Sequence, residues 1–227
     1  MNLIKSQDFF NPLDVDGRCH IIGCGSVGST VAELLARLGI TRISLYDFDD
    51  VAPHNLANQM FYNEDIKRNK VDVVSEMICK INPNADNEVH VFPDGWSNTV
   101  RLSGYVFLCV DNIDLRREIV TLNKMNGSIK AMFDFRTRLE DAQHYAADFS
   151  DPMQVENLLK SMAFTHEEAK AETPQTACNV EMSVAPTIRI ICSYGVANFM
   201  NFIRKKEDKP LKKIVTIDAF DFHIIAN

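Results

Sequence analysis

Apolar positions along this chain alternate between two spacings. Cys19-His20-Ile21-Ile22 and Arg42-Ile43-Ser44-Leu45-Tyr46-Asp47 are apolar runs of strand length, and between them residues 29 to 38 carry apolar side chains at helical spacing that stops at Gly39. After an irregular stretch from Phe48 to Met60, marked by Pro53, the spacing predicts a helix from Asn69 to Ile81 that stops at Asn82-Pro83-Asn84. Val89 to Phe92 reads as a short strand. Tyr105 to Val110 is a continuous apolar run ending at Asp111-Asn112, as expected of a parallel strand covered on both faces. A helix over Leu115 to Asn126 and strands at Ile129 to Phe135 and Gln143 to Phe149 follow.

The regular alternation then ends. Residues 150 to 180 read as a polar crossover loop with short helices at Val155 to Met162 and through His166 to Lys170, the kind of long connection that is usually functional. Val184 to Ile203 is a long apolar helix, expected to be interrupted at Pro186, and Lys213 to Asp218 and Phe220 to Ile225 read as two final strands. Residues 1 to 17 form an N-terminal arm that Phe9-Phe10 would dock on the body. The pattern predicts an α/β fold, Rossmann-like, with a largely parallel sheet, helices on both faces and antiparallel strands added near the C-terminus.

The most specific chemistry lies in the first strand-helix turn. Gly23-Cys24-Gly25-Ser26-Val27-Gly28 follows an apolar strand and opens a helix, and Asp47 stands nineteen residues beyond Gly28. Glycine lets the backbone approach a phosphate, and the helix start presents unpaired amides to that anion. Asp47 then sits where a ribose diol needs an acceptor. These features suit a dinucleotide as well as ATP, so an NAD-dependent oxidoreductase remains an alternative.

Charge and composition narrow the classes. The 227 residues carry a net charge of -7 and are 46% hydrophobic, enough for one large core, and a single domain over 1–227 is expected. The dispersed basic residues disfavour a nucleic-acid partner, and no apolar stretch or leader points to a membrane or secretion; a cytoplasmic location is expected. The six cysteines contain no CxxC pair, so no zinc is expected, and Cys24 and Cys109 read as structural.

With Asp47-Phe48-Asp49, His54-Asn55-Leu56-Ala57-Asn58-Gln59, Lys70, Ile81-Asn82-Pro83 and Asp111-Asn112 following the glycine turn in that order, the chain resembles the ThiF/MoeB/ubiquitin-activating family of adenylyltransferases. The match is close over residues 18 to 117 and recurs around Cys178 to Ile203. It implies an ATP- and magnesium-dependent activation of a C-terminal carboxylate, from a ubiquitin-like protein, a sulfur carrier or a peptide, with release of pyrophosphate, and it implies a homodimer. On this resemblance, nucleotide contacts fall to Gly23, Gly25, Ser26, Gly28, Asp47, Asp49, Asn55, Asn58, Lys70, Asp111 and Asn112. Lys70, Asp111 and Asn55 are the catalytic candidates, with magnesium on Asp111 and a possible acyl acceptor at Cys178. Asn112 also reads as a helix cap.

One position departs from the family pattern. Relatives commonly read SNLNRQ, with an arginine on the triphosphate, where this chain has Asn58; a neutral amide forgoes a charge-assisted bond of about 1.5 to 3 kcal/mol. Lys67, Arg68 and Arg116 are candidate substitutes, as is an arm from a second subunit. The same departure supports an alternative, a degenerate scaffold that binds nucleotide without turnover.

Overall fold

The computed structural model describes residues 1–172, 182–205 and 207–227. Its strands are β1 (Cys19–Ile22), β2 (Ile43–Tyr46), β3 (Val89–Phe92), β4 (Gly104–Leu108), β5 (Ile129–Thr137), β6 (Asp141–Asp148), β7 (Ile214–Asp218) and β8 (His223–Ala226). The helices are α1 (Ser26–Arg37), α2 (Lys70–Ile81), α3 (Ile113–Asn123), α4 (Pro152–Lys160), α5 (His166–Glu172) and α6 (Ala185–Arg204). The strands form one sheet in the order β3-β2-β1-β4-β5-β6-β7-β8. The first five pair in parallel and β6 to β8 are added antiparallel. This is the Rossmann-like α/β architecture that the apolar pattern predicts.

Alternation along the parallel strands divides the core between the two sheet faces. Ile21, Leu45 and Phe107 join the cluster that packs under α1, α2 and α6 through Val31, Ile78 and Phe199. Ile22, Tyr46 and Leu108 join the cluster under α3 and α4, with Ile119 and Leu158. The arm docks as expected on one of its two aromatics: Phe10 is buried, whereas Phe9 is exposed beneath the Arg204 guanidinium.

Pro186 does not interrupt the long helix. It lies in the first turn of α6, where its missing N–H has no intrahelical partner to lose, and the helix continues unbroken to Arg204. The apolar length of α6 is explained by burial against α1, β5 and β6, with Ile188, Ile191, Cys192 and Phe199 in the core. Among the described residues no helix is long and apolar enough to cross a membrane.

Two buried histidines tie the sheet to its surroundings. His144 donates from Nδ1 to the Asp134 carbonyl at 3.1 Å, and its Nε2 accepts from Asn198 Nδ2 at 3.1 Å. The Lys212 backbone fixes that amide, because its N–H donates to Asn198 Oδ1 and its carbonyl accepts from Nδ2, each at 2.8 Å. A proton on Nε2 would therefore face a donor. Burial holds His144 down at about 4, and His20, set between Tyr46 and the Ser103 N–H, down at about 4 as well.

An unfolded imidazole takes its proton near pH 6.5, so between that value and about 4 the unfolded chain binds protons that the folded chain does not. The stability these groups allow is complete above 6.5, falls as the pH drops towards 4, and changes no further below it. The expected loss is on the order of 3 kcal/mol per imidazole across the window. Urea unfolding at about pH 7 and about pH 5 checks this; equal midpoints would show that neither ring is held neutral.

Candidate functional site

The parallel strands place the predicted chemistry at one edge of the sheet. β1 lies between β2 and β4, so the chain winds away from it in both directions and leaves a crevice at the carboxyl ends of these strands. Gly23 closes β1 there: its N–H donates to the Tyr46 carbonyl at 2.8 Å, and the Cys109 N–H donates to the Ile22 carbonyl at 2.8 Å. Asp47 follows β2 on one side and Asp111 follows β4 on the other. The two strand ends are about 10 Å apart, two inter-strand spacings.

The three glycines of the turn serve different needs. Gly23 has φ +93°, and a Cβ there would lie 2.8 Å from the Cys109 carbonyl carbon. A Cβ on Gly28 would lie 1.8 Å from the Gly23 carbonyl oxygen, so this residue is required for the helix to close on the strand. Gly25 is unlike both, because a Cβ would meet nothing nearer than the Gln59 amide at 3.9 Å. The fold does not demand glycine there, and the space above it stays open. α1 begins without a side-chain cap, whereas Asn69, Asn112 and Asp151 cap α2, α3 and α4. The open turn and uncapped amides form a cradle suited to an anion.

Asp47 is held by the turn it faces. Cys24 N–H donates to its Oδ2 at 2.6 Å and Asp49 N–H to its Oδ1 at 2.9 Å. Partial burial raises its carboxyl above the usual range, against those two bonds and the nearby Lys70 charge. Further lone pairs remain for a hydroxyl donor.

Lys70, the first residue of α2, is buried and reaches Asp49 Oδ2 at 2.7 Å. Asp49, expected as a second nucleotide contact, is thus the partner that orients this lysine. Asn55 is buried in a 3-10 turn, Pro53–Ala57, where its Oδ1 accepts from the Ala52 N–H at 2.8 Å. Asn58 donates to Ser183 Oγ at 2.5 Å, linking this loop to the approach of α6.

Asp111 is exposed, and no hydrogen bond or ion pair to it is found among the described residues. Asn112, beside it, caps α3 by accepting from the Asp114 and Leu115 N–H groups at 2.9 and 3.0 Å. Among the described residues no three or more His, Cys, Asp or Glu side chains cluster to hold a metal. The donor set fits a magnesium ion that draws most of its ligands from phosphates and water. A cavity of about 530 Å3 opens beside Asp111, lined by Arg136, Tyr145, Phe164 and His166 among others.

Of the expected cationic substitutes, Arg116 is not available. It is buried, ion-paired to Asp134 at 2.7 Å, and donates to the Phe135 and Val110 carbonyls at 2.5 and 2.7 Å. Arg68 pairs with Glu76 and Asp65, and Lys67 is exposed with a left-handed backbone at φ +72°. Cys24 and Cys109 are buried, which raises both thiols well above their ordinary range and fits packing roles. Cys178 lies outside the described residues.

Two residues at this edge carry no role in the sequence reading, Gln59 being quoted there only within its motif. Gln59 flanks Gly25, and among the described residues its buried Oε1 has no donor. Arg189 of α6 donates from Nη1 to Thr30 Oγ1 at 2.8 Å and also lies on the Met60 sulfur. Its signal was available: it is the only charged residue between Ala185 and Ile203.

A glycine-turn α/β sheet with acids flanking its switch point defines a nucleotide-binding protein of the Rossmann-like class. The chain belongs to the ThiF family, whose profile matches residues 14–226. Ubiquitin-like modifier-activating enzyme 5 of Gallus gallus is 33% identical over 144 residues, 57% of this chain and 35% of that protein. The Caenorhabditis elegans protein of the same name is 32% identical over 114 residues, 44% of this chain and 27% of that protein. The chain therefore spans about a third of the length of such curated relatives. Among solved structures, E. coli MccB with ATP superposes with a TM-score of 0.72 at 19% identity, covering 95% of this chain and 65% of that one. PaaA gives 0.69 at 18% identity, with 95% and 65% covered. These two likenesses speak for the fold.

Proposed function

We propose that this chain is an ATP-dependent adenylyltransferase that activates the C-terminal carboxylate of a ubiquitin-like protein, sulfur carrier or peptide. The observation that carries this reading is an uncapped, open glycine turn flanked by Asp47 on one side and, on the other, by an exposed Asp111 that is unpaired among the described residues, with a buried lysine alongside. The names of the relatives support it: some are ubiquitin-like modifier-activating enzymes, and MccB has been solved with ATP and with AMPCPP and MccA.

In this reading the turn amides and Lys70 bind the phosphates, and Asp47 accepts from the ribose. Asp49 keeps Lys70 aimed at the crevice. Asp111 would hold a magnesium ion, which when bound would neutralise phosphate charge. The incoming tail enters by the cavity beside Asp111, bringing its carboxylate in line with the α-phosphate. A carboxylate oxygen bonds to the α-phosphorus as the bond to the bridging oxygen of the β-phosphate breaks, and pyrophosphate leaves with that electron pair. Positioning and charge neutralisation supply the rate enhancement, because two anions must meet. If a second step follows, the Cys178 thiolate attacks the acyl carbon and AMP departs.

The test is exchange of labelled pyrophosphate into ATP by the purified chain with magnesium and a panel of small β-grasp proteins and peptides. Substrate-dependent exchange is expected. ATP retention without exchange would favour the scaffold, for which the Asn58–Ser183 bond in place of an arginine contact is the specific support. Affinity for NAD in place of ATP would favour an oxidoreductase.

A further inference from the structure

We infer that Arg189 is the cation that engages the triphosphate in this chain, in place of the arginine that Asn58 replaces; the inference rests on the proposed nucleotide chemistry. Three observations lead there. Arg189 is the only charge on α6 before its terminal residue Arg204, and its neighbours Ile188, Ile191 and Cys192 are in the core. Arg189 is half-buried, and a partly desolvated guanidinium is retained at some cost unless something anionic meets it. Among the described residues it meets no carboxylate: its partners are the Thr30 hydroxyl and the Met60 sulfur, both neutral. Its fork is therefore only partly used.

The location supplies the anion. Thr30 Oγ1 donates to the Ser26 carbonyl at 2.8 Å, so the guanidinium is two hydrogen bonds from the first residue of α1. Met60 lies two residues beyond Asn58, and its N–H donates to Ser29 Oγ at 3.2 Å, which fixes this loop against the same helix turn. Arg189 thus occupies the space between the first turn of α1 and the loop that carries Asn58. Lys70 supplies a single point charge, and Arg116 is committed to Asp134. Arginine offers a planar fork that can span two phosphate oxygens, which the neutral Asn58 amide cannot do.

The experiment is calorimetric titration of the full chain with a non-hydrolysable ATP analogue and, separately, with AMP. Arg189→Met is expected to weaken the triphosphate by about tenfold or more while AMP affinity stays within about twofold. Asn58→Arg in the Arg189→Met background is expected to restore most of the loss. Should Arg189→Met fail to fold by circular dichroism, Arg189→Gln carries the same readouts, because it can still donate to Thr30. Equal loss for ATP analogue and AMP, or no loss for either, overturns the assignment of Arg189 and leaves the adenylyltransferase reading standing. Absence of adenine-nucleotide affinity in the unaltered chain overturns both.

Discussion

Asp111→Asn is expected to lower substrate-dependent pyrophosphate exchange by about a hundredfold or more while leaving the urea midpoint unchanged. The two halves of this expectation come from the same geometry. Asp111 is exposed and makes no hydrogen bond or ion pair among the described residues, so the fold gains nothing from its charge. Capping of α3 belongs to Asn112, whose replacement by Ala would cost about 1 kcal/mol. A carboxylate without structural employment, held at the carboxyl end of a fully buried strand, is placed for a ligand. Removing its charge removes a fixed anion that the metal–triphosphate complex would otherwise find in position. The magnesium concentration needed for half-maximal exchange should rise in the variant. Turnover within about threefold of the unaltered chain would refute the role given to Asp111.

The sheet was legible because its signals are local. Parallel strands buried on both faces are written as short apolar runs, and the boundaries of β3 and α2 fall within a residue of those read from spacing. Turn chemistry was legible for the same reason, since Gly23 and Gly28 answer contacts made within a few residues or with an adjacent strand. The 3-10 turns at Pro53–Ala57 and Asn63–Asp65 were not read, because three to five residues are too few for a periodicity. Ion-pair partners were the least legible. The pairing of Asp49 with Lys70 is not written in their spacing, and Arg116 reads as a spare cation until β5 supplies Asp134. Arg189 meets Thr30 across 159 residues, a separation that only the packing of α6 on α1 resolves.

Asp134→Ala is expected to destabilise the chain by about 3 to 5 kcal/mol. Asp134 on β5 is fully buried, with Arg116 Nη1 on one carboxylate oxygen and Arg136 Nε on the other, both at 2.7 Å. Truncation leaves two enclosed guanidinium groups facing each other without the anion that compensated their desolvation. Arg116 is nearly inaccessible and cannot swing to water, and Arg136 is held by the Ser161 hydroxyl and carbonyl and stacks over Tyr145. The exposed Lys130–Asp16 pair, at 2.6 Å, supplies the contrast. Water screens it, so Lys130→Ala should leave the urea midpoint nearly unchanged. The buried loss should also persist at high salt, where exposed pairs fade. Urea unfolding of both variants at low and high salt checks the pair of expectations, and a shift for Asp134→Ala no larger than that for Lys130→Ala would exclude a compensated triad. Arg116 also holds the Val110 carbonyl, one residue before Asp111. Loss of Asp134 should therefore loosen the loop that carries the catalytic candidate, lowering exchange even under conditions where the chain remains folded.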